Sequence, residues 1–154
     1  MSETPAEQAL NELEIPHRVF RHAGPVNSLE QAAEERGQTY DQVIRSIVFR
    51  LGEGEFILVL IPGPGQISWA ALRATLGRSR MTMATREELL EVTGFEPGTV
   101  TPFGIKTRLR VLVDESVLAQ KEVSLGSGVR GVAIIIQTAD LLSGLGEYEV
   151  GNFA

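Results

Sequence analysis

The sequence predicts an α+β domain built on a curved mixed sheet with helices around it. Three observations carry this expectation. Capped helical segments alternate with short β-branched runs, two of those runs flank a glycine hairpin, and the order of elements lacks the strict βαβ repeat of a doubly wound fold. At 154 residues the chain fits one domain, residues 1–154, large enough to bury a core without staples.

The helices announce themselves by their ends. Thr4-Pro5-Ala6-Glu7 reads as a capping box with proline at the first helical position, followed by Ala6, Ala9, Leu10 and Leu13 on one face. Ser28-Leu29-Glu30-Gln31 repeats the device, with Leu29, Ala32 and Ala33 inward and Gly37 as the stop. Ser68 opens a helix carrying Ala71, Leu72 and Leu76, which Gly77 closes. Thr85-Arg86-Glu87-Glu88 opens another, with Leu89 and Leu90, ending near Gly94.

Between them lie strands. Val43 to Leu51 and Glu55 to Ile61 flank Gly52-Glu53-Gly54, a hairpin signal. Leu109 to Val113 and Val132 to Gln137 are short and apolar, as buried strands are, while His17 to Arg21 and Arg80 to Ala84 are weaker candidates. Trp69 and Phe20 read as core. The tail from Leu145 to Ala154 carries little signal and reads as partly disordered.

Composition excludes several chemistries. No cysteine is present, which removes disulfides, thiol nucleophiles and cysteine-held metals. With only His17 and His22, a histidine-rich zinc site is not expected either. No apolar run reaches the roughly 20 residues of a membrane helix and no signal peptide opens the chain, so a cytoplasmic protein is expected. The net charge of −6 argues against non-specific coating of nucleic acid, but twelve of the fourteen basic residues are arginine, the better reader of phosphate. Arg78, Arg80, Arg86, Lys106, Arg108 and Arg110 cluster in sequence, either as a basic face or as solvated surface charge.

Three segments could carry function. Gly94 to Gly104 packs three glycines and two prolines into eleven residues. A loop so punctuated is stiff and lets peptide groups come close to a ligand; otherwise it is a rigid connection. In the strand from Val43 to Leu51, alternation puts Arg45 on a face with Val43, Ile47, Phe49 and Leu51. An unpaired buried guanidinium is costly, so Arg45 must meet a carboxylate or open into a cleft. Gly126-Ser127-Gly128-Val129-Arg130-Gly131 could form an anion-binding nest with Arg130 adding charge, or simply turn the chain. No nucleophile elbow, zinc-protease helix or dinucleotide fingerprint is found. Asp114 reads as a cap of the short helix that follows rather than as a base, and His22 as either pocket-lining or an exposed loop residue.

Together these segments resemble the YbaK/ProX family of aminoacyl-tRNA deacylases, which includes the editing domain inserted in bacterial prolyl-tRNA synthetases. The resemblance rests on Asp41 to Val48, Thr93-Gly94-Phe95 with Gly98 to Gly104, Val111 to Glu115, and Gly126 to Gly131, and it runs from about Ala6 to Leu142. It implies a barrel-like curved sheet, and hydrolysis of the ester that links a wrong amino acid, alanine or cysteine on proline tRNA, to the 3′ adenosine. Such editing is needed because one methylene is worth only about 1–3 kcal/mol of discrimination.

On this chain the resemblance implies Arg45, Gly98 and Thr101 as catalytic positions. It implies His22, Thr99, Val100, Pro102, Phe103, Gly104, Ser127, Gly128 and Arg130 as substrate-binding ones. It assigns no cofactor and no metal, and gives the tRNA 2′-hydroxyl, or a water it orients, much of the chemistry. Partners implied are the aminoacyl end of tRNA and prolyl-tRNA synthetase. The family pattern has lysine where this chain has Arg45, a change that keeps the charge but removes a group able to lose a proton near neutral pH. The alternative of the same fold is a catalytically silent module that holds an aminoacyl-tRNA end or a synthetase.

Overall fold

The computed structural model describes residues 3–154. The chain runs α1 (Pro5–Glu12), β1 (Arg18–Arg21), α2 (Leu29–Arg36), β2 (Ile44–Gly52), β3 (Glu55–Pro62), α3 (Trp69–Leu76), β4 (Thr82–Met83), α4 (Arg86–Thr93), β5 (Arg110–Asp114), β6 (Glu122–Gly126), β7 (Val132–Gln137), α5 (Thr138–Leu145) and β8 (Glu149–Gly151). Single 3-10 turns occupy Tyr40–Gln42 and Glu115–Ala119.

The four expected helix starts are built as read. The hydroxyls of Thr4, Ser28, Ser68 and Thr85 accept the N–H groups of Glu7, Gln31, Ala71 and Glu88, satisfying donors that have no partner within the helix. Glu7 and Glu88 close full capping boxes. Gln31 does not: its side-chain oxygen accepts from Asn27 N instead, at 2.9 Å. Gly37, Gly77 and Gly94 end their helices in the left-handed region.

The strands form two sheets rather than one. The larger has the order β4-β2-β3-β5-β8, with β2 antiparallel to β3 and β4, and β5 parallel to both β3 and β8. The smaller, β1-β7-β6, is antiparallel throughout. A parallel bridge between Val43 and Ser124 ties the sheets together just before β2 begins. The mixed, curved arrangement expected from the sequence is thus reached by two sheets meeting at one bridge.

Between the sheets lies the main core. Ile44, Val48, Leu58, Leu60 and Val113 face Val123, Leu125, Ile134 and Ile136, and α1, α4 and α5 add Leu10, Leu89 and Leu141. On the outer face of the large sheet a second core gathers Phe49, Ile57, Val59, Ile61 and Leu112 around Leu72 of α3 and Phe153. Burial on both faces explains why β3 is an unbroken apolar run rather than an alternating one.

Three features depart from the sequence reading. The strands β6 and β8 and the helix α5 were not foreseen. The tail expected to be partly disordered carries β8 and ends with Phe153 fully buried, its N–H donated to Asp114 Oδ1 at 2.7 Å. Phe20, read as core, is only half-buried and stands edge-on to His22, whereas Trp69, also half-buried, does pack against the second core, edge-on to Phe49. Asp114 does cap the turn after β5, accepting from Ser116 N at 3.1 Å.

Candidate active site

The site begins with an incomplete strand edge. β4 pairs with β2 only at Phe49 and Arg50, so the outer edge from Arg45 to Ile47 meets no strand among the described residues. Against this edge lies a cleft of about 770 Å³, well inside the range of small-ligand sites. Its other walls are the loop at Pro97, Gly98 and Val100, the turn around Arg130, and the segment from His22 into α2. Arg36, Arg45, Arg86 and Arg130 all line it, and no aspartate or glutamate does. Arg86 is paired with Glu96 at 2.9 Å; the other three have no ion pair among the described residues, and in a chain of net charge −6 they concentrate positive potential where low-dielectric walls sharpen it.

Arg45 resolves the choice the sequence left open. Among the described residues it has no carboxylate partner; its Nη2 donates to the carbonyl of Gly65, in the loop after β3. Its Nε is buried without a partner, and so is the hydroxyl of the adjacent Ser46. Both residues line the cleft. Burial lowers the Arg45 pKa without removing its charge at neutral pH. An orphaned buried donor is costly, and a guanidinium held without a carboxylate beside a cleft is a ready partner for an anion.

The glycine-rich loop presents only part of itself to the cleft. Gly98, at φ 84°, and Val100 line it. Thr99 donates its hydroxyl to Glu96 O at 2.8 Å, and the fully buried Thr101 accepts Phe103 N at 3.2 Å. Both hydroxyls therefore shape the loop from inside. Phe103 is in the main core, and Pro102 and Gly104 border a separate cavity of about 240 Å³. Gly104 is required by its surroundings: a Cβ there would lie 2.6 Å from Pro5 O.

The turn from Gly126 to Gly131 is not an open nest. Gly128 N is donated to Thr99 O at 2.9 Å and Val129 N to Ser127 Oγ at 3.2 Å, so two successive donors are already bonded. The buried Ser127 hydroxyl donates to Val132 O at 2.7 Å, and Gly128 packs against Phe95 and Pro5. What this turn offers the cleft is Arg130, exposed and tethered by one bond from Nη2 to Pro97 O at 3.3 Å.

His22 is no exposed loop residue. Its side chain is 1% exposed, and Nδ1 lies 2.7 Å from Glu35 Oε1. Arg36 Nε donates to His22 Nε2 at 3.1 Å, which makes Nε2 the acceptor and places the ring proton on Nδ1, toward Glu35. Arg36 Nη1 continues to Ser124 Oγ at 2.9 Å. Hydrogen bonds from His22 and then Gln31 hold the Glu35 carboxyl below the usual range, while burial draws Arg36 down to about 10 against the pull of Glu35. Arg36 and Ser46 were missed from the sequence. Arg36 is a cation in the last turn of α2, where the helix dipole alone would favour it, and nothing local marks its contacts with residues 14 and 88 positions away.

A second cleft, of about 610 Å³, holds Arg50, Arg78, Arg108 and Arg110, but with acids among them. Arg50 pairs with Glu88, Arg78 with Glu55 and Arg110 with Glu149. Of the basic cluster noted in the sequence, Arg78 and Arg110 are thus paired there and Arg86 pairs with Glu96, so this cleft offers an anion less. No three histidine, aspartate or glutamate side chains gather as a metal site among the described residues.

Residues 23–143 match the family described as "Aminoacyl-tRNA editing domain". The proline–tRNA ligase of Trichlorobacter lovleyi is 28% identical over 121 residues, 79% of this chain and 20% of that protein. The Staphylococcus aureus ligase is 24% identical over 128 residues, 83% of this chain and 21% of that protein. The chain thus spans about a fifth of these relatives. A crystal structure of a proposed trans-editing enzyme for prolyl tRNA synthetase superposes with TM-score 0.89 at 27% identity, covering 99% of this chain and 98% of that one. A second, of a hypothetical protein, has TM-score 0.86 at 20% identity over 96% and 97%, and shares the fold.

Proposed function

Because the chain belongs to the aminoacyl-tRNA editing domain family, we propose that it acts in trans as a deacylase of mischarged tRNA, with alanine or cysteine on proline tRNA as the substrate class. The observation that carries this reading is the cleft beside the glycine loop in which Arg36, Arg45 and Arg130 have no carboxylate hydrogen-bonded to them among the described residues. A polyanionic 3′ end has reason to enter it, and a small side chain fits against Val100 and Gly98.

The reaction needs little from the protein beyond positioning and charge. Water, oriented by the neighbouring 2′-hydroxyl, adds to the ester carbonyl and forms a tetrahedral oxyanion. Collapse breaks the bond to the 3′ oxygen, which takes up a proton, and yields free amino acid and uncharged tRNA. Arg45, which lines the cleft with only the Gly65 carbonyl as a partner among the described residues, is the donor best suited to the oxyanion or to the 3′ end. It acts electrostatically, since a guanidinium does not exchange its proton near neutral pH. Gly98 and Thr101 act through the loop: one by leaving room for the substrate, the other by holding the backbone.

The test is ester loss from Ala-tRNA(Pro) and Cys-tRNA(Pro), with correctly charged tRNA as control, for wild type and Arg45→Ala. Rapid loss from a mischarged species that disappears in the variant is expected. No loss from any mischarged tRNA, by folded protein, would replace the deacylase with the silent binding module.

A further inference from the structure

Arg36 is the cation of the cleft whose position is most strongly predetermined. It ends α2, yet its guanidinium is fixed by residues on two other parts of the chain: His22 after β1, and Ser124 on β6. The nearest acid, Glu35, uses Oε1 for His22 and Oε2 for Gln31, at 2.7 and 2.8 Å. Among the described residues Arg36 therefore has neutral acceptors only, although burial draws its pKa down to about 10. Of the five N–H donors of a guanidinium, Arg36 uses two, leaving three without a protein partner.

A purely structural arginine at this depth would be expected to carry a carboxylate. Here the carboxylate stands one residue away and orients the imidazole instead. The outcome is a fixed guanidinium with its free donors beside a cleft, and ordering it beforehand lowers the cost of binding. Those donors suit a phosphate, which accepts several bonds from one planar fork. They do not suit the α-ammonium of an aminoacyl group, which is itself a donor and a cation.

We infer that Arg36, presented by Glu35 and His22, receives an internucleotide phosphate of a single-stranded RNA 3′ end entering the cleft. Arg36 is then a substrate-binding residue, and His22 and Glu35 are positioning residues. This rests on the RNA-binding half of the function proposed above, but not on the hydrolysis.

The experiment measures binding of short RNAs ending in CCA. One strand carries normal phosphodiesters; in the others a single uncharged methylphosphonate replaces each of the last linkages in turn. With wild type, one position should weaken binding about tenfold, the order expected for a charged hydrogen bond lost. With Arg36→Gln that same position should have no effect, while any effect at other positions persists. Arg36→Lys should recover part of it. Should Arg36→Gln fail to fold, His22→Gln serves in its place, with the position-specific penalty reduced several-fold. An undiminished penalty in the folded variants overturns the assignment, as does wild type indifferent to every neutral linkage or unable to bind the RNA. Coupling at one linkage in a protein that hydrolyses no aminoacyl ester would remove the deacylase and leave the phosphate site standing.

Discussion

A Cβ added to Gly126 would lie 2.5 Å from the carbonyl oxygen of Val100 and 3.0 Å from that of Thr99. The last residue of β6 is therefore the seat on which the glycine-rich loop rests, and its missing side chain sets how near that loop comes to the cleft. The two glycine segments that the sequence shows far apart form one wall, closed further by Arg130 reaching Pro97.

Gly126→Ala should push the loop away, because the atoms it meets are backbone and cannot rotate aside. A loss of about 1–3 kcal/mol in urea denaturation is expected, as for overpacked cores. If the protein deacylates, its activity should fall further than the loss of stability explains. Unchanged stability and rate would show that the loop yields freely.

Arg45→Ala should lower kcat/KM for mischarged tRNA by on the order of 10²-fold, the usual cost of one oxyanion donor. Arg45→Lys should retain a part of the activity, since the charge stays while the length and the second donor arm change. A lysine variant faster than wild type would mean that the cleft is a degenerate form of the family site.

Phe153 should matter far more than its place next to the C-terminus suggests. It is fully buried in the second core, and its N–H is held by Asp114. Phe153→Ala should cost about 3–5 kcal/mol by denaturant titration, as large buried aromatics do. Asp114→Ala, which removes both the cap on Ser116 and the anchor of the tail, should cost about 1–3 kcal/mol. A tail that contributes nothing would leave the Phe153→Ala melting curve unchanged.

Acid should destabilise the fold in a defined window. Burial raises the pKa of Glu7, but hydrogen bonds from Thr4 and the charges of Arg21 and His17 outweigh it, and the net shift is down. Bonds from His22 and from Arg110 lower Glu35 and Glu149 in the same direction. A carboxylate depressed in the folded state stabilises it above the unfolded pKa, and that contribution is lost as pH falls through the folded value. Melting temperature should therefore hold from pH 7 to about 5 and decline below that range. Glu7→Gln should flatten the decline; a parallel fall in wild type and variant would assign it to other groups.

Much of this protein is legible in its sequence because much of it is decided locally. A hydroxyl before a helix, a glycine after it, and a tight turn between two apolar runs act over a few residues, which is why the ends at Thr4, Ser28, Gly37, Thr85 and Gly94 could be read. Arg45 was legible as a cation on an apolar face. β8 and α5 were not: Gln137 makes no side-chain cap, and β8 exists only because β5 offers it a parallel edge.

The sequence by itself determined most of the elements, the caps of the first four helices and the family resemblance. Tertiary structure alone decided that Arg45 meets a cleft and not an acid, that the second glycine turn uses its donors internally, and that Arg36 rests on His22 and Ser124. The physical reason is distance along the chain. Capping energies belong to neighbours three or four residues apart, whereas the electrostatics of a cleft are set by which distant strands and helices burial brings together.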